Sequence, residues 1–438
     1  MTTEQSILNA LKHIIDPDLK KDIVTLGFVK NIKINGGDVV LDIALTTPAC
    51  PVKEEFRGQV EKAIIALEGV RTVKVNMTVH ASAAVQPAAS GGNNPLSKVG
   101  AIVAVSSCKG GVGKSTMAGF IAQELANRGY RVGLLDADIH GPSLPALFGL
   151  TDVNLQVSAQ NHLVPFEKDG LKLMSFGFLL GDAPAVMRGP IVTRYIQQLL
   201  FNVAWGELDY LFIDMPPGTG DVQLTITQSV KLTGAVIVTT RQNLSLVDVS
   251  RGILMFERVN VPILGVIENM SYFMCDSCAK KHYIFGESHA NSMQERFGIP
   301  TLAEVPLLPR LTGKLDVYTA NTFIQEATDH VVRAVGKSSM EDRSAPAVNF
   351  DGKAITLKWN NGHVWKVGNK ELRASCQCAL CINEMTGERT IDVSKIKTDI
   401  AATQITPLGN YAIGVTWNDG HSSGIYPYKK IEELSVKK

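Results

Sequence analysis

Between Ala101 and Asn269 the chain repeats one pattern, a short apolar run followed by a stretch of helical period. The runs are "AIVAV" from Ala101, "RVGLLDAD" from Arg131, "DYLFIDMPP" from Asp209, "GAVIVTT" from Gly234 and "ILGVIEN" from Ile263. Strands this uniformly apolar are buried on both faces, so the runs predict an α/β fold: a parallel sheet covered by helices on each side. The stretch after the first run places Met117, Phe120, Ile121 and Leu125 on one helical face and stops at Gly129. In such a sheet the functional side chains gather at the C-terminal ends of the strands.

The full chain of 438 residues is long for one core and suits two or three domains. "ASAAVQPAASGGNNPLSK" from Ala81 has linker composition, and "GKSSMEDRSAPA" from Gly336 marks a second seam. The expected division is 1–81, a linker at 82–97, the central unit at 98–336, a linker at 337–347 and a last unit at 348–438. The first unit reads as small and α+β: a helix to Ile15, strands Phe28 to Ile34 and Val39 to Leu45 joined at Asn35, a helix Val52 to Leu67 and a strand Thr72 to Val79. The last reads as mainly β. Its "KWNNGHVWKV" and "TWNDGHSSGIY" are alternating strands broken at Asn-Gly and Asp-Gly turns, and they share a W-N-x-G-H echo.

Lysine plus arginine (43) nearly balance aspartate plus glutamate (42), so charge gives no support for a nucleic-acid or acidic-membrane partner. No apolar run is long enough to span a bilayer. The N-terminus lacks the succession of basic, apolar and small residues of a secretory or organelle signal. Of seven cysteines, five are clustered as C-x-x-C and C-x-C-x-x-C, which fits reduced thiols for metal or redox work and a cytoplasmic setting.

The first strand runs into "CKGGVGKST". A P-loop reads G-x-x-x-x-G-K-[ST]; Gly113, Lys114 and Ser115 fit, while Cys108 occupies the first glycine position. Gly110, Gly111 and Gly113 let backbone N–H groups face a polyphosphate at a helix N-terminus, so Cys108, Lys109, Gly110, Gly111, Val112, Gly113, Lys114, Ser115 and Thr116 form the expected nucleotide loop. P-loop geometry gives Lys114 to the β- and γ-phosphates and Ser115 to Mg2+, with Asp214 of "FIDMPPGTGD" placed like a Walker B acid that holds that ion, usually through water. Asp136 and Asp138 of "LLDADIHGPS" are alternatives for orienting the attacking water.

With its second lysine, Lys109, this loop resembles the deviant Walker A of the family that includes nitrogenase iron protein, the MinD and ParA ATPases and the Mrp/ApbC iron-sulfur carriers. "DADIHGPSLP", "DMPPGTGD" and "ENMSYFMCDSC" resemble the Mrp/ApbC branch, with two departures: Cys108, and Arg241 where proline is usual. The resemblance implies a homodimer in which Lys109 reaches the partner's nucleotide, Asp138 is the switch residue and Asn269 reads adenine. It further implies ATP hydrolysis coupled to carriage of a labile cluster, [4Fe-4S], shared by Cys275 and Cys278 of two chains. Upstream assembly proteins would load it and apoproteins would receive it. Competing readings are a ParA/MinD-like positioning ATPase without a cluster, an electron-transfer ATPase, and a redox dithiol at C-x-x-C.

The flanks bear on this choice. "DPDLKKDIVTLGFV" and "TTPACPVKEEF" resemble the SufT-like domain, placing Cys50 at its single cysteine, either a buried small residue or a transient cluster contact. Cys376, Cys378, Cys381 and His421 make the Cys3His set of structural zinc, an iron-sulfur cluster being the alternative and His363 the less favoured histidine. That last segment resembles the N-terminal domain of γ-butyrobetaine hydroxylase. The order of three units is similar to that of chloroplast high-chlorophyll-fluorescence scaffolds, whereas the C-x-x-C points to the Mrp carriers.

Overall fold

A computed structural model describes residues 2–47, 49–79, 95–139, 141–150, 153, 155–180, 189–218, 220–241, 246–275, 277–278, 280–284, 298–307, 322–340, 346–359, 362–376, 378, 380–382, 388–408, 412–422 and 424–436. Most of the expected linker at 82–97 lies outside the described residues.

In the N-terminal unit, helix α1 (Glu4–Leu11) starts after Thr3, whose hydroxyl accepts from the Ser6 amide. Strands β1 (Val29–Asn35) and β2 (Asp38–Leu45) are antiparallel and turn through Gly36 and Gly37, both at positive φ. Helix α2 (Lys53–Ile65) leads to β3 (Thr72–Val79), which lies parallel to β2. Ile7, Leu11, Leu41, Ile43, Phe56 and Val60 fill the core between helices and sheet.

The central unit runs β4 (Val99–Ser106), α3 (Lys114–Asn127), β5 (Val132–Asp136), α4 (Leu144–Leu147), β6 (Phe166–Lys168), β7 (Leu171–Ser175), α5 (Gly177–Leu180), α6 (Gly189–Phe201), β8 (Leu208–Asp214), α7 (Asp221–Ser229) and β9 (Gly234–Thr240). It continues through α8 (Leu246–Arg258), β10 (Ile263–Asn269), the short β11 (Phe273–Met274) and β12 (Lys281–His282), β13 (Thr301–Glu304) and α9 (Thr322–Met340). Its sheet has the order β13-β10-β9-β4-β8-β5-β7-β6, parallel throughout except for β6. Val103 and Val105 of β4 point into one core with Phe120, Ile121, Val331 and Val335. Their neighbours Ile102 and Ala104 point into the other with Ile196, Leu199, Ile226 and Phe256. Fully burying each large apolar side chain contributes about 1.5–3 kcal/mol, so both faces anchor β4. The next strand in sequence, β5, lies on one side of β4 and the later β9 on the other, which opens a crevice at its C-terminal end.

Two expectations change here. Every residue of α3 from Met117 to Leu125 is buried, not one face alone, because α9 covers its outer side and Arg128 is ion-paired to Asp329 there. The expected seam at 337–347 begins inside α9, which continues to Met340. Gly336 is present for close approach: a Cβ would lie 2.5 Å from Thr46 Oγ1. Ser338 and Ser339 bond to the carbonyls of Thr233 and Val335, so serines that read as linker are helical.

The C-terminal unit has two antiparallel sheets, β14 (Ala347–Phe350), β15 (Ala354–Lys358) and β16 (Val364–Gly368), then β17 (Ala402–Leu408), β18 (Ala412–Trp417) and β19 (Gly424–Pro427). Helices α10 (Asn369–Ala374) and α11 (Tyr428–Val436) complete it. The W-N-x-G-H echo is one turn used twice. Trp359 N–H donates to His363 C=O and Gly362 N–H to Trp359 C=O; Trp417, His421 and Gly420 repeat both bonds, with Gly362 and Gly420 at φ 88° and 84°.

Candidate functional site

Residues 107–113 link the end of β4 to the start of α3, and Gly111 and Gly113 adopt φ of 78° and 82° to make the curve. Lys114 is buried, ion-paired to Asp214 Oδ1 and 3.2 Å from Ser115 Oγ. Asp214 is fully buried, and its Oδ2 has no hydrogen-bond partner among the described residues. Burial raises its pKa, against the pull of Lys114. A hydroxyl and an orphaned carboxylate oxygen at the mouth of a loop of backbone amides are hard oxygen donors suited to Mg2+ beside a polyphosphate. Lys109 is exposed.

The two aspartates after β5 separate. Asp136 is wholly buried, and its carboxylate accepts from the amides of Asp138, Ser143 and Leu144 and from Ser175 Oγ. Burial and the charge of Asp214 push it up to about 7. It holds the loop that carries Asp138, Oδ2 taking three of these bonds and Oδ1 one. Asp138, at the rim, accepts from Gly141 N–H.

Asn269 ends β10, and its Nδ2 donates to Val112 C=O at 3.0 Å. A Cβ on Gly113 would clash with that nitrogen, so the amide lies directly against the loop. The chain then forms the hairpin β11–β12, where Cys275 N–H donates to Lys280 C=O. Arg241 reaches Glu304 at 2.9 Å and Glu268 at 3.4 Å and lies 4.6 Å over the Tyr283 ring. It fastens the hairpin to the sheet. Cys275, Cys278 and His282 bring their ligand atoms within 4.8 Å of one another. His282 was missed in the sequence.

In the C-terminal unit His421 Nε2 lies 3.3, 3.5 and 3.9 Å from the sulfurs of Cys376, Cys378 and Cys381. Tetrahedral bonds of about 2.3 Å to sulfur and about 2.0 Å to nitrogen separate such atoms by roughly 3.6 Å, so the set fits one mononuclear ion. Hydrogen bonding from Cys376, aided by Arg373, lowers the Cys381 thiol to about 7, toward the thiolate a metal needs. Arg373 also binds Asp419, which accepts from His421 N–H and fixes the turn. His363 is exposed and outside this cluster.

Cys50 lies elsewhere. It lines a small interdomain pocket with Asp16, Asp18, Thr46, Arg333 and Lys337, beside Ala49, whose amide donates to Tyr210 Oη. Phe323, near the start of α9, touches Tyr272 of the cysteine hairpin, while Arg333 and Lys337 lie further along the helix. At 1.5 Å per residue the two regions are about 15–20 Å apart, so Cys50 does not meet Cys275 and Cys278 in this chain. None of the seven cysteines forms a disulfide.

A family model described as NUBPL iron-transfer P-loop NTPase matches residues 98–341. The chain belongs to that family. In this NUBPL-type NTPase the flanks match as well: "Iron-sulfur cluster assembly protein" over 4–76, and "Gamma-butyrobetaine hydroxylase-like, N-terminal" over 347–432. The NTPase is 42% identical to "Fe-S cluster assembly factor HCF101, chloroplastic" of Arabidopsis thaliana, over 99% of this chain and 83% of that one. It is 44% identical to the "Iron-sulfur cluster carrier protein" of Synechocystis sp., over 70% of this chain and 88% of that one. Among solved structures, a nucleotide-binding protein from Archaeoglobus fulgidus in complex with ADP is 40% identical, covering 55% of this chain and 90% of that one, TM-score 0.45.

Proposed function

We propose that this NTPase is an ATP-dependent iron-sulfur cluster carrier. Two chains form a homodimer, Cys275 and Cys278 of each hold a labile cluster, [4Fe-4S], and the cluster passes to apoproteins after loading by upstream assembly proteins. ATP occupies the loop from Cys108 to Thr116, Lys114 meets the β- and γ-phosphates, Lys109 reaches across to the partner's nucleotide, and Asp138 orients the attacking water. Mg2+ at Ser115 and Asp214 would neutralise phosphate charge. Zinc at Cys376, Cys378, Cys381 and His421 holds the last unit together. Cys50, remote from the hairpin, acts at a separate encounter with the cluster. The reduced thiols suit a reducing compartment such as the cytoplasm. Among the described residues no helix is long and apolar enough to cross a membrane.

The observation that carries this reading is a single strand: β10 ends in Asn269 on the nucleotide loop and leads straight into the thiol hairpin. The names of the relatives support the cargo. Anaerobic reconstitution with iron and sulfide should give one cluster per dimer in the wild type and none in Cys275→Ser, Cys278→Ser. Cluster retention should change with MgATP and lose that response in Lys114→Ala. A double variant that keeps the visible cluster absorption refutes the carrier site; identical retention in every nucleotide state refutes the coupling.

A further inference from the structure

We propose that each chain by itself holds one divalent ion of the ferrous or zinc class at Cys275, Cys278 and His282, with a fourth position open. This goes beyond the shared cluster, because it needs neither a second chain nor nucleotide.

The pleat creates the site. Phe273 pairs with His282 and Met274 with Lys281, and the Cys275 amide bonds to Lys280 C=O, so Cys275 follows in register opposite Lys280. Alternate residues of a strand share a face and directly paired residues point the same way. Phe273, Cys275 and His282 therefore share a face, and His282 is the diagonal neighbour of Cys275, at a backbone spacing of about 7–8 Å that an imidazole can span. The turn brings Cys278 back, leaving all three ligand atoms within 4.8 Å. Tetrahedral coordination draws such atoms to about 3.6–3.8 Å apart, a shift that side-chain rotation supplies. A cubane places its thiolates on different irons and spreads them more widely. Three ligands this close instead suit one ion.

The donor chemistry selects the ion. Two thiolates and one imidazole favour borderline divalent metals over Mg2+ or Ca2+. Cys278 and His282 are exposed and Cys275 is half-buried, so solvent, an exogenous thiol or a partner subunit can take the fourth position. Backbone order comes from outside the triad: Lys281 lies 4.3 Å over the Tyr272 ring, and Arg241 covers Tyr283. The same sulfurs serve the shared cluster, so mononuclear and cluster-bearing states exclude each other.

The test is anaerobic titration of metal-free, full-length protein with Co2+, reading thiolate-to-cobalt charge transfer and the d–d bands of tetrahedral cobalt. The wild type should take two ions per chain, one at the Cys3His set and one at the hairpin, with a stoichiometry independent of protein concentration. His282→Ala should weaken the hairpin ion by about 100-fold or more, and Cys275→Ser, Cys278→Ser should abolish it. The Cys3His cobalt signal in the same molecules reports that the C-terminal unit of each variant is folded, and retained ATP binding reports the same of the central unit that carries the hairpin. One ion per chain in the wild type, half an ion per chain at the hairpin, or unchanged affinity in His282→Ala would overturn the proposal. Iron-sulfide reconstitution of His282→Ala separates the two claims: a normal cluster with unchanged cobalt affinity defeats the mononuclear site and leaves the carrier reading intact.

Discussion

One substitution distinguishes two readings of Asn269. As an adenine reader it would discriminate bases; as a strut it holds Val112 C=O and thereby the curve of the phosphate loop. In Asn269→Ala the carbonyl loses its donor inside a site where Asn269 is almost wholly buried. Leaving a buried acceptor unmet costs about 1–3 kcal/mol. If that cost falls on the phosphate-ready loop, nucleotide dissociation constants rise roughly 5- to 150-fold, since each 1.4 kcal/mol is a factor of about ten. Titration with fluorescent ATP and GTP analogues, with MgCl2 held constant, measures it. The strut weakens both nucleotides by the same factor, because phosphates are common to them. A loss confined to ATP would assign the residue to the base, and unchanged binding of both would refute the strut.

Three further outcomes follow from particular contacts. Gly336→Ala, ordinarily stabilising in a helix, should destabilise by about 1–3 kcal/mol because its Cβ meets Thr46 Oγ1 at 2.5 Å, and Thr46→Gly should restore the melting temperature. Glu257 is buried with neither carboxylate oxygen hydrogen-bonded among the described residues, and burial pushes it up to about 8 from 4.5. Between those values the folded chain keeps a proton that the unfolded chain releases, so stability falls as pH rises, by at most ~1.4 kcal/mol per pH unit. Glu257→Gln should flatten that dependence and be the more stable protein at pH 8 in urea melts, with the gap narrowing toward pH 5; parallel curves would show that the group does not titrate this way. Metal removal by chelation, or His421→Ala, should loosen the C-terminal core and red-shift the emission of buried Trp417, while ATP binding persists. Unchanged emission would show that the core does not depend on the ion.

What was legible in the sequence was local. Apolar runs and glycine spacing reveal β4, its loop and the strand carrying Asp214, because each depends on neighbours a few residues away. The Cys3His set was legible for a similar reason: three thiols lie together, and two histidines were the choices. Long-range packing hid the rest. Asp136 and Asp138 look alike in "DADIHGPS", and only the fold gives the first to the amides of Ser143 and Leu144. Gly336 and two serines suggest a linker until Thr46 occupies the space beside that glycine.

His282 shows why spacing alone cannot find every ligand. In "CDSCAKKHYIF" the histidine is near the thiols in sequence under any conformation, so proximity carries little information. Register decides. With Phe273 opposite His282, the imidazole shares the face of Cys275 and Lys281 takes the other face, over Tyr272. A slip of one residue would exchange them, putting Lys281 in the imidazole's place on the face that Cys275 and Lys280 already share, and the imidazole on the aromatic side. An ammonium can attract thiolates but cannot join them on a metal. The observed register is held by Lys281 on Tyr272 and Arg241 on Tyr283, neither of which is a ligand. Tyr272→Ala and Tyr283→Ala together should therefore lower cobalt affinity at the hairpin while leaving all three ligands in place; undiminished affinity would mean that the turn alone sets the register.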